Sequence, residues 1–173
     1  TVAVRVKNEG LNSRWYSGSG INRHVWLTTV DPLHIDISGG VYITTPGISA
    51  SSADVRVVTT FVNTGAAEEK PVVKTQIKDA SGKVVANATS ESGILPGQKA
   101  EVVQVIKVLN PVLWSTDNTG RYTARVSLLK DEKEVDVTET EVGIRSIKID
   151  AQNGLTINGK PFDMIGGCYH HDN

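Results

Sequence analysis

Asp54-Val-Arg-Val-Val-Thr-Thr-Phe-Val-Asn-Thr-Gly65 is the run that decides the fold. Extended, it sends Val55, Val57, Thr59 and Phe61 to one side and Arg56, Val58, Thr60 and Val62 to the other. Period-two alternation in β-branched residues, closed by Asn63-Thr64-Gly65, marks a strand and the turn that ends it. Both faces are fairly apolar, which places this strand inside a sheet and not at its edge.

Outward from it, the same pattern repeats. Upstream, Val30-Asp31-Pro32 is a break, because proline lacks a donor and restricts the residue before it. His34 to Ser38 and Val41 to Thr45 read as short strands around Gly39-Gly40, and Pro46 to Ser52 as loop. Downstream, Pro71 to Lys78 and Val84 to Thr89 are paired by the hairpin Asp79-Ala-Ser-Gly82-Lys83. Leu95-Pro96-Gly97-Gln98 is a turn, Glu101 to Leu109 a long β-branched strand, and Asn110-Pro111 to Trp114 its end. Tyr122, Ala124, Val126 and Leu128 share one face of the next strand, Asp131-Glu132-Lys133 turns the chain, and Val135 and Val137 begin the return. No helical stripe interrupts residues 70–142. About seven short strands with turn signals roughly every 8–12 residues predict an all-β immunoglobulin-type sandwich. The paired cysteines of antibody domains are missing, so only the architecture is implied.

The two ends read differently. Thr1 to Lys7 and Ile21 to Leu27 alternate like strands, with a Gly/Ser-rich loop carrying Trp15 and Tyr16 between them. Two strands do not make a domain; they join the later sheet or finish a domain that starts elsewhere. Gly143-Ile144-Arg145 is a junction. Ser146 to Asp150 and Leu155 to Ile157 form a hairpin, for which Asn153-Gly154 predicts a type I′ turn. Asn158 to Pro161 turns again, and Phe162 to Ile165 leads into Gly166-Gly-Cys168-Tyr-His170-His171-Asp172-Asn173. An apolar run followed by a His/Asp cluster is expected to be the start of a new domain, cut through.

Composition narrows the function. The 173 residues carry 21% charged side chains and a formal net charge of −1, without the basic footprint of a nucleic-acid binder. No apolar run approaches the roughly 20 residues that span a bilayer. Thr1 opens in a strand-like pattern, not a basic-then-apolar signal segment, as in a mature protein or an excised piece. The single cysteine, Cys168, excludes an internal disulfide and leaves the compartment open. Gly18-Ser-Gly20-Ile-Asn-Arg23 is not a phosphate loop, because its third glycine is arginine and no helix follows. There is no Gly-x-Ser-x-Gly elbow and no Walker lysine. Asn87-Ala88-Thr89 matches a glycosylation sequon, a pattern that chance often produces. His170 and His171, adjacent in an extended chain, point apart and would not easily share a metal ion. Cys168 has no orienting group that would make it a nucleophile. The charges of Glu132 to Glu141 alternate with Val and Thr as on a solvated strand face.

Four segments together resemble glycoside hydrolase family 2. Ser13-Arg-Trp-Tyr-Ser-Gly-Ser-Gly-Ile-Asn-Arg-His-Val-Trp-Leu27 is similar to the stretch that closes the family's N-terminal jelly roll, in the form found in β-galactosidases of Bacteroidetes-type bacteria. Val62-Asn-Thr-Gly65 and Asn110-Pro-Val-Leu-Trp-Ser115, with Tyr122 after it, resemble the family's immunoglobulin-like domain. Leu155 to Asp172 resembles the approach to its catalytic barrel. Arg121 and Asn22 depart from the pattern, where the family often has Leu and Tyr.

The resemblance implies a layout. Residues 1–29 are the remnant of a jelly-roll, sugar-binding-type domain, 30–143 the immunoglobulin-like sandwich, and 144–173 the start of a (β/α)8 barrel, whose whole length of roughly 250 residues does not fit here. It implies a parent that hydrolyses terminal β-galactosides with retention, using two glutamates about 5 Å apart. No residue here matches either, so this segment alone is expected to be inactive, with no catalytic residue, metal or cofactor. The family's substrate-facing histidine and following acid fall on His171 and Asp172. Arg23 and Trp26 are expected to pack the domain junction; Trp15 and Tyr16 could stack on sugar but are better suited to packing. The implied partners are the other domains of the same polypeptide and a carbohydrate substrate, with no nucleic acid or membrane, in an exported, periplasmic setting or in the cytoplasm. A β-glucuronidase or β-mannosidase parent remains open, as does a free-standing immunoglobulin-like carbohydrate-binding or adhesion module.

Overall fold

The computed structural model describes residues 2–7, 9, 20, 21 and 24–168. It divides into residues 1–29 with 165–173 as one unit and Val30–Met164 as the other. Every strand among the described residues lies in the second unit. In chain order they are β1 (Leu33–Ile35), β2 (Val41–Ile48), β3 (Ser52–Asn63), β4 (Val72–Lys78), β5 (Val84–Glu91), β6 (Lys99–Leu109), β7 (Tyr122–Lys130), β8 (Lys133–Val142), β9 (Ile147–Asp150), β10 (Gly154–Ile157) and β11 (Lys160–Pro161).

β3 is central, as its two-sided pattern demands. β6 pairs along its whole length, from Ser52↔Leu109 to Val62↔Lys99. β1 and β2 follow one another along the opposite edge. The second sheet runs β5-β4-β7-β8, antiparallel throughout. The sheets face each other as an open sandwich. Val55, Val57 and Phe61 of β3, Ile106 and Val108 of β6, Val73 and Ile77 of β4, and Tyr122, Ala124, Val126 and Leu128 of β7 fill the core. The immunoglobulin-like, all-β reading therefore holds.

Polar contacts stitch both open sides. On one, Gln104 of β6 accepts from Thr75 Oγ1 (2.5 Å) and donates to Val73 O and Ser90 Oγ, both at 3.1 Å. On the other, the bulge that shifts register between Leu128 and Leu129 leaves Asp136 of β8 accepting the Ile35 N–H of β1 at 2.8 Å. That N–H would otherwise be a free edge donor. Tyr122 Oη accepts from Val112 N–H (2.8 Å), fixing the loop before β7 much as a tyrosine corner does.

Three local expectations are corrected. Residues 46–48 are strand, not loop. β2 continues past Pro46 because a one-residue bulge carries the register from Thr44↔Arg56 to Gly47↔Asp54, so the missing proline N–H costs no ladder bond. The Asn153-Gly154 turn is not type I′. Asp150 Oδ1 accepts from the N–H groups of Gln152 and Asn153, drawing three residues into the loop, and only Gly154 is left-handed. The type I′ geometry belongs to Asn158-Gly159, with φ 51° and 77°. Finally, residues 2–7 and 24–27 alternate like strands, yet among the described residues neither joins a sheet. Alternation sets which way side chains would face; a strand also needs a partner for its N–H and C=O groups.

One core group is unpaired. Thr59 is 1% exposed on the inward face of β3, and among the described residues its Oγ1 has no hydrogen-bond partner. An isosteric apolar side chain removes that desolvation cost. Thr59→Val is therefore expected to raise stability by about 1 kcal/mol, read as a higher denaturant midpoint at unchanged m-value. A lower midpoint would show that the hydroxyl is satisfied in solution.

Candidate functional site

His171 and Asp172, the substrate-facing pair expected from the sequence, lie outside the described residues, as do His170, Trp15, Tyr16 and Arg23. Trp26, expected to pack, leaves 82% of its surface exposed; its ring meets His24 edge to face with centroids 5.8 Å apart. Cys168 is exposed. Among the described residues, no three His, Cys, Asp or Glu side chains gather where they could hold a metal ion.

Two clefts remain. The first, about 540 Å³, opens where the β4–β5 hairpin meets the strand ends of β7 and β8, and is lined by three carboxylates: Asp79, which accepts from Ser81 and Lys83 N–H within its own turn, Glu139 and Glu141. A glycosidase pair needs two carboxyls in distinct, partly desolvated settings. Here Glu139 pairs with Lys78 at 3.0 Å and Arg125 at 3.5 Å, Glu141 pairs with Arg121, and both side chains are more than half exposed. Nothing desolvates either group. They are the solvated face that the charge alternation predicted.

The second cleft, about 420 Å³, lies between the loop after β6 and the β10–β11 turn, lined by Leu113, Ser115 to Asn118, Lys160 and Phe162 among others. Asn158, which lines it, belongs to a set of polar contacts behind the cleft. The linker Gly143–Ser146, between β8 and β9, is in no strand, yet its backbone groups are bonded in succession. Gly143 O accepts from Arg145 Nη1 (3.1 Å), Ile144 O from Trp114 N–H (2.8 Å) and Arg145 O from Thr45 Oγ1 (2.6 Å). Ser146 N–H donates to Asn158 Oδ1, and Ser146 O accepts from Asn158 N–H, both at 2.9 Å. Asn158 Nδ2 then donates to Trp114 O, also at 2.9 Å. The Arg145 guanidinium lies 4.8 Å from the Trp114 ring centroid, a cation–π contact. A Cβ on Gly143 would stand 2.8 Å from Trp114 Cγ, so only glycine fits there. Ile144, wholly buried, anchors the linker in the sandwich core. Periodicity could not reveal this latch; the sequence signals were Gly143 and the second Asn-Gly pair.

The remaining electrostatics are structural. The Lys99 ammonium beside Asp36 holds its carboxyl below the usual range, Ser81 does so for Asp79, the Arg125 guanidinium for Glu134, and the Asn153 amides for Asp150. Depressed carboxyls stabilise the fold above the unfolded-state range and lose that contribution as pH falls through their folded values. Glu69 raises Lys130 in turn.

Residues 33–145 match the glycosyl hydrolases family 2. A β-galactosidase of Bacteroides ovatus is 38% identical over 172 residues, 99% of this chain and 20% of that protein. A β-glucuronidase of Formosa agariphila is 33% identical over 163 residues, 90% of this chain and 17% of that protein. The crystal structure of a glycosyl hydrolase family 2 member from Bacteroides cellulosilyticus superposes with a TM-score of 0.88 at 41% identity, covering 96% of this chain and 23% of that one. The chain thus spans about a fifth of the length of the curated relatives it matches.

Proposed function

Because this chain belongs to the glycosyl hydrolases family 2, we propose that it is the non-catalytic scaffold segment of a retaining hydrolase acting on terminal β-galactosides. The observation that carries the galactoside is the 38% identity, across nearly the whole chain, with a β-galactosidase. β-Glucuronidases among the relatives make that activity the second reading. Residues 30–143 are the sandwich that orients its neighbours, 1–29 close a jelly roll and 144–173 begin a barrel. The unpaired strand patterns of residues 2–7 and 24–27 support this division, since their partners would belong to the rest of the jelly roll. His171 and Asp172 hydrogen-bond sugar hydroxyls in the assembled enzyme.

The test is a comparison of the full-length polypeptide with this 173-residue chain on aryl β-galactoside and aryl β-glucuronide. The full-length protein is expected to turn over the galactoside with the higher kcat/KM, and the 173-residue chain to turn over neither. Preference for the glucuronide would replace the substrate; turnover by the isolated chain would overturn the scaffold role.

A further inference from the structure

We propose that Asn158 is a positioning residue of this hydrolase: by tying the β10–β11 turn to Trp114 and Ser146, it fixes the direction in which the chain runs out of β11 at Phe162. The proposal rests on the hydrolase reading above.

A connecting segment outside any strand is ordinarily the more mobile part of a fold. Gly143–Ser146 is not, because each residue from Gly143 to Ser146 has its carbonyl bonded, and Ser146 its N–H as well. Asn158 makes two of these bonds, both to Ser146, and a third to Trp114 O. Its backbone is left-handed (φ 51°), a conformation asparagine tolerates better than most residues. Its carboxamide is used at both ends, oxygen to Ser146 and nitrogen to Trp114. No other side chain of this length offers an acceptor and a donor on one planar group. The ladder beyond the turn is too short to hold a direction unaided: β11 has two residues, and Phe162 N–H makes one last bond to Leu155 O at 2.9 Å. Orientation therefore comes from the latch. The chain that leaves it carries the expected substrate-facing pair within ten residues of Phe162.

Asn158→Gly isolates the effect, since glycine keeps the left-handed turn and loses only the carboxamide. In the full-length enzyme, misplacement of about 1 Å is enough for a large loss. The variant is expected to raise KM for the aryl substrate about tenfold or more, with the number of active sites, counted by burst titration, unchanged. Amide exchange at Ser146 should quicken while β3 and β6 stay protected. Unchanged KM and kcat would overturn the proposal. Fewer active sites at unchanged KM would also overturn it, showing a merely structural role. A wild-type enzyme inactive on both aryl substrates would instead remove the hydrolase reading, a failure seen before any variant is compared.

Discussion

Asn63→Asp, an exchange of one nitrogen for one oxygen, is expected to destabilise the sandwich by on the order of 3–5 kcal/mol at pH 7. Asn63 ends β3 and is 1% exposed. Its Nδ2 donates to Ala67 O at 2.8 Å and Ile94 O at 3.4 Å, and its Oδ1 accepts from Gly65 N–H at 2.9 Å. Its backbone is equally committed, to Gln98 O and Gly97 N–H. Aspartate keeps the one acceptor but aims a second oxygen at two carbonyls in a buried site. The cheapest response is to take up a proton, which raises the folded-state pKa above its unfolded value of about 3.9. The folded variant then binds more protons than the unfolded chain between those two values. Relative to wild type, the deficit is therefore small below about pH 4, grows as pH rises through the folded pKa and then levels off. Urea unfolding of both proteins at pH 4 and pH 7 checks this; an equal deficit at both would show that the carboxylate escapes to solvent. Asn63→Ala, which leaves unpaired groups but no charge, should cost less at pH 7.

The second large effect is at Gln104. Alanine there removes the amide that joins β6 to β4 and β5, opens a cavity, and strands the Thr75 hydroxyl at 0% exposure. A loss of about 3 kcal/mol follows from the cavity and the orphaned donor together. The informative comparison is Gln104→Leu with and without Thr75→Val. Leucine nearly restores the volume, and valine removes the hydroxyl that leucine cannot satisfy. The double variant should recover to within about 1 kcal/mol of wild type, because replacing both partners of a buried hydrogen bond is nearly neutral. Strict additivity in that cycle would mean that the two side chains do not depend on one another.

What the sequence disclosed and what it withheld divide along physical lines. β3, β6 and β7 were legible because one face of each is buried, and burial writes period-two alternation into a strand. The hairpin at Asp79–Gly82 was legible because Gly82 at φ 85° and the Asp79 carboxylate are local turn chemistry. The β7–β8 turn places Asp131 and Glu132 at φ 49° and 63° without any glycine, so pairing, not turn preference, imposes it. Asn153-Gly154 misled because the Asp150 carboxylate outbid the dipeptide for the same N–H groups. Gln104, Thr75 and the Trp114–Arg145–Asn158 latch were invisible in any window: their hydrogen bonds to one another, to Ser90 and to Ser146 span 12 to 44 residues, and packing chooses the partners. For the site the limit was different. The His171-Asp172 reading came through resemblance, and both residues lie outside the described ones.

The bond from Ile35 N–H to Asp136 joins residues 101 apart, and that from Thr45 to Arg145 joins residues 100 apart. On a ribosome this has a temporal meaning. The first edge of the sandwich waits unguarded until the last strand has emerged, so this domain completes itself late and in a single step; contacts so distant along the chain also make for slow closure. Asn158 then emerges thirteen residues after Arg145. The sandwich and its latch therefore close within the same interval of synthesis, after both ends of these distant contacts have emerged.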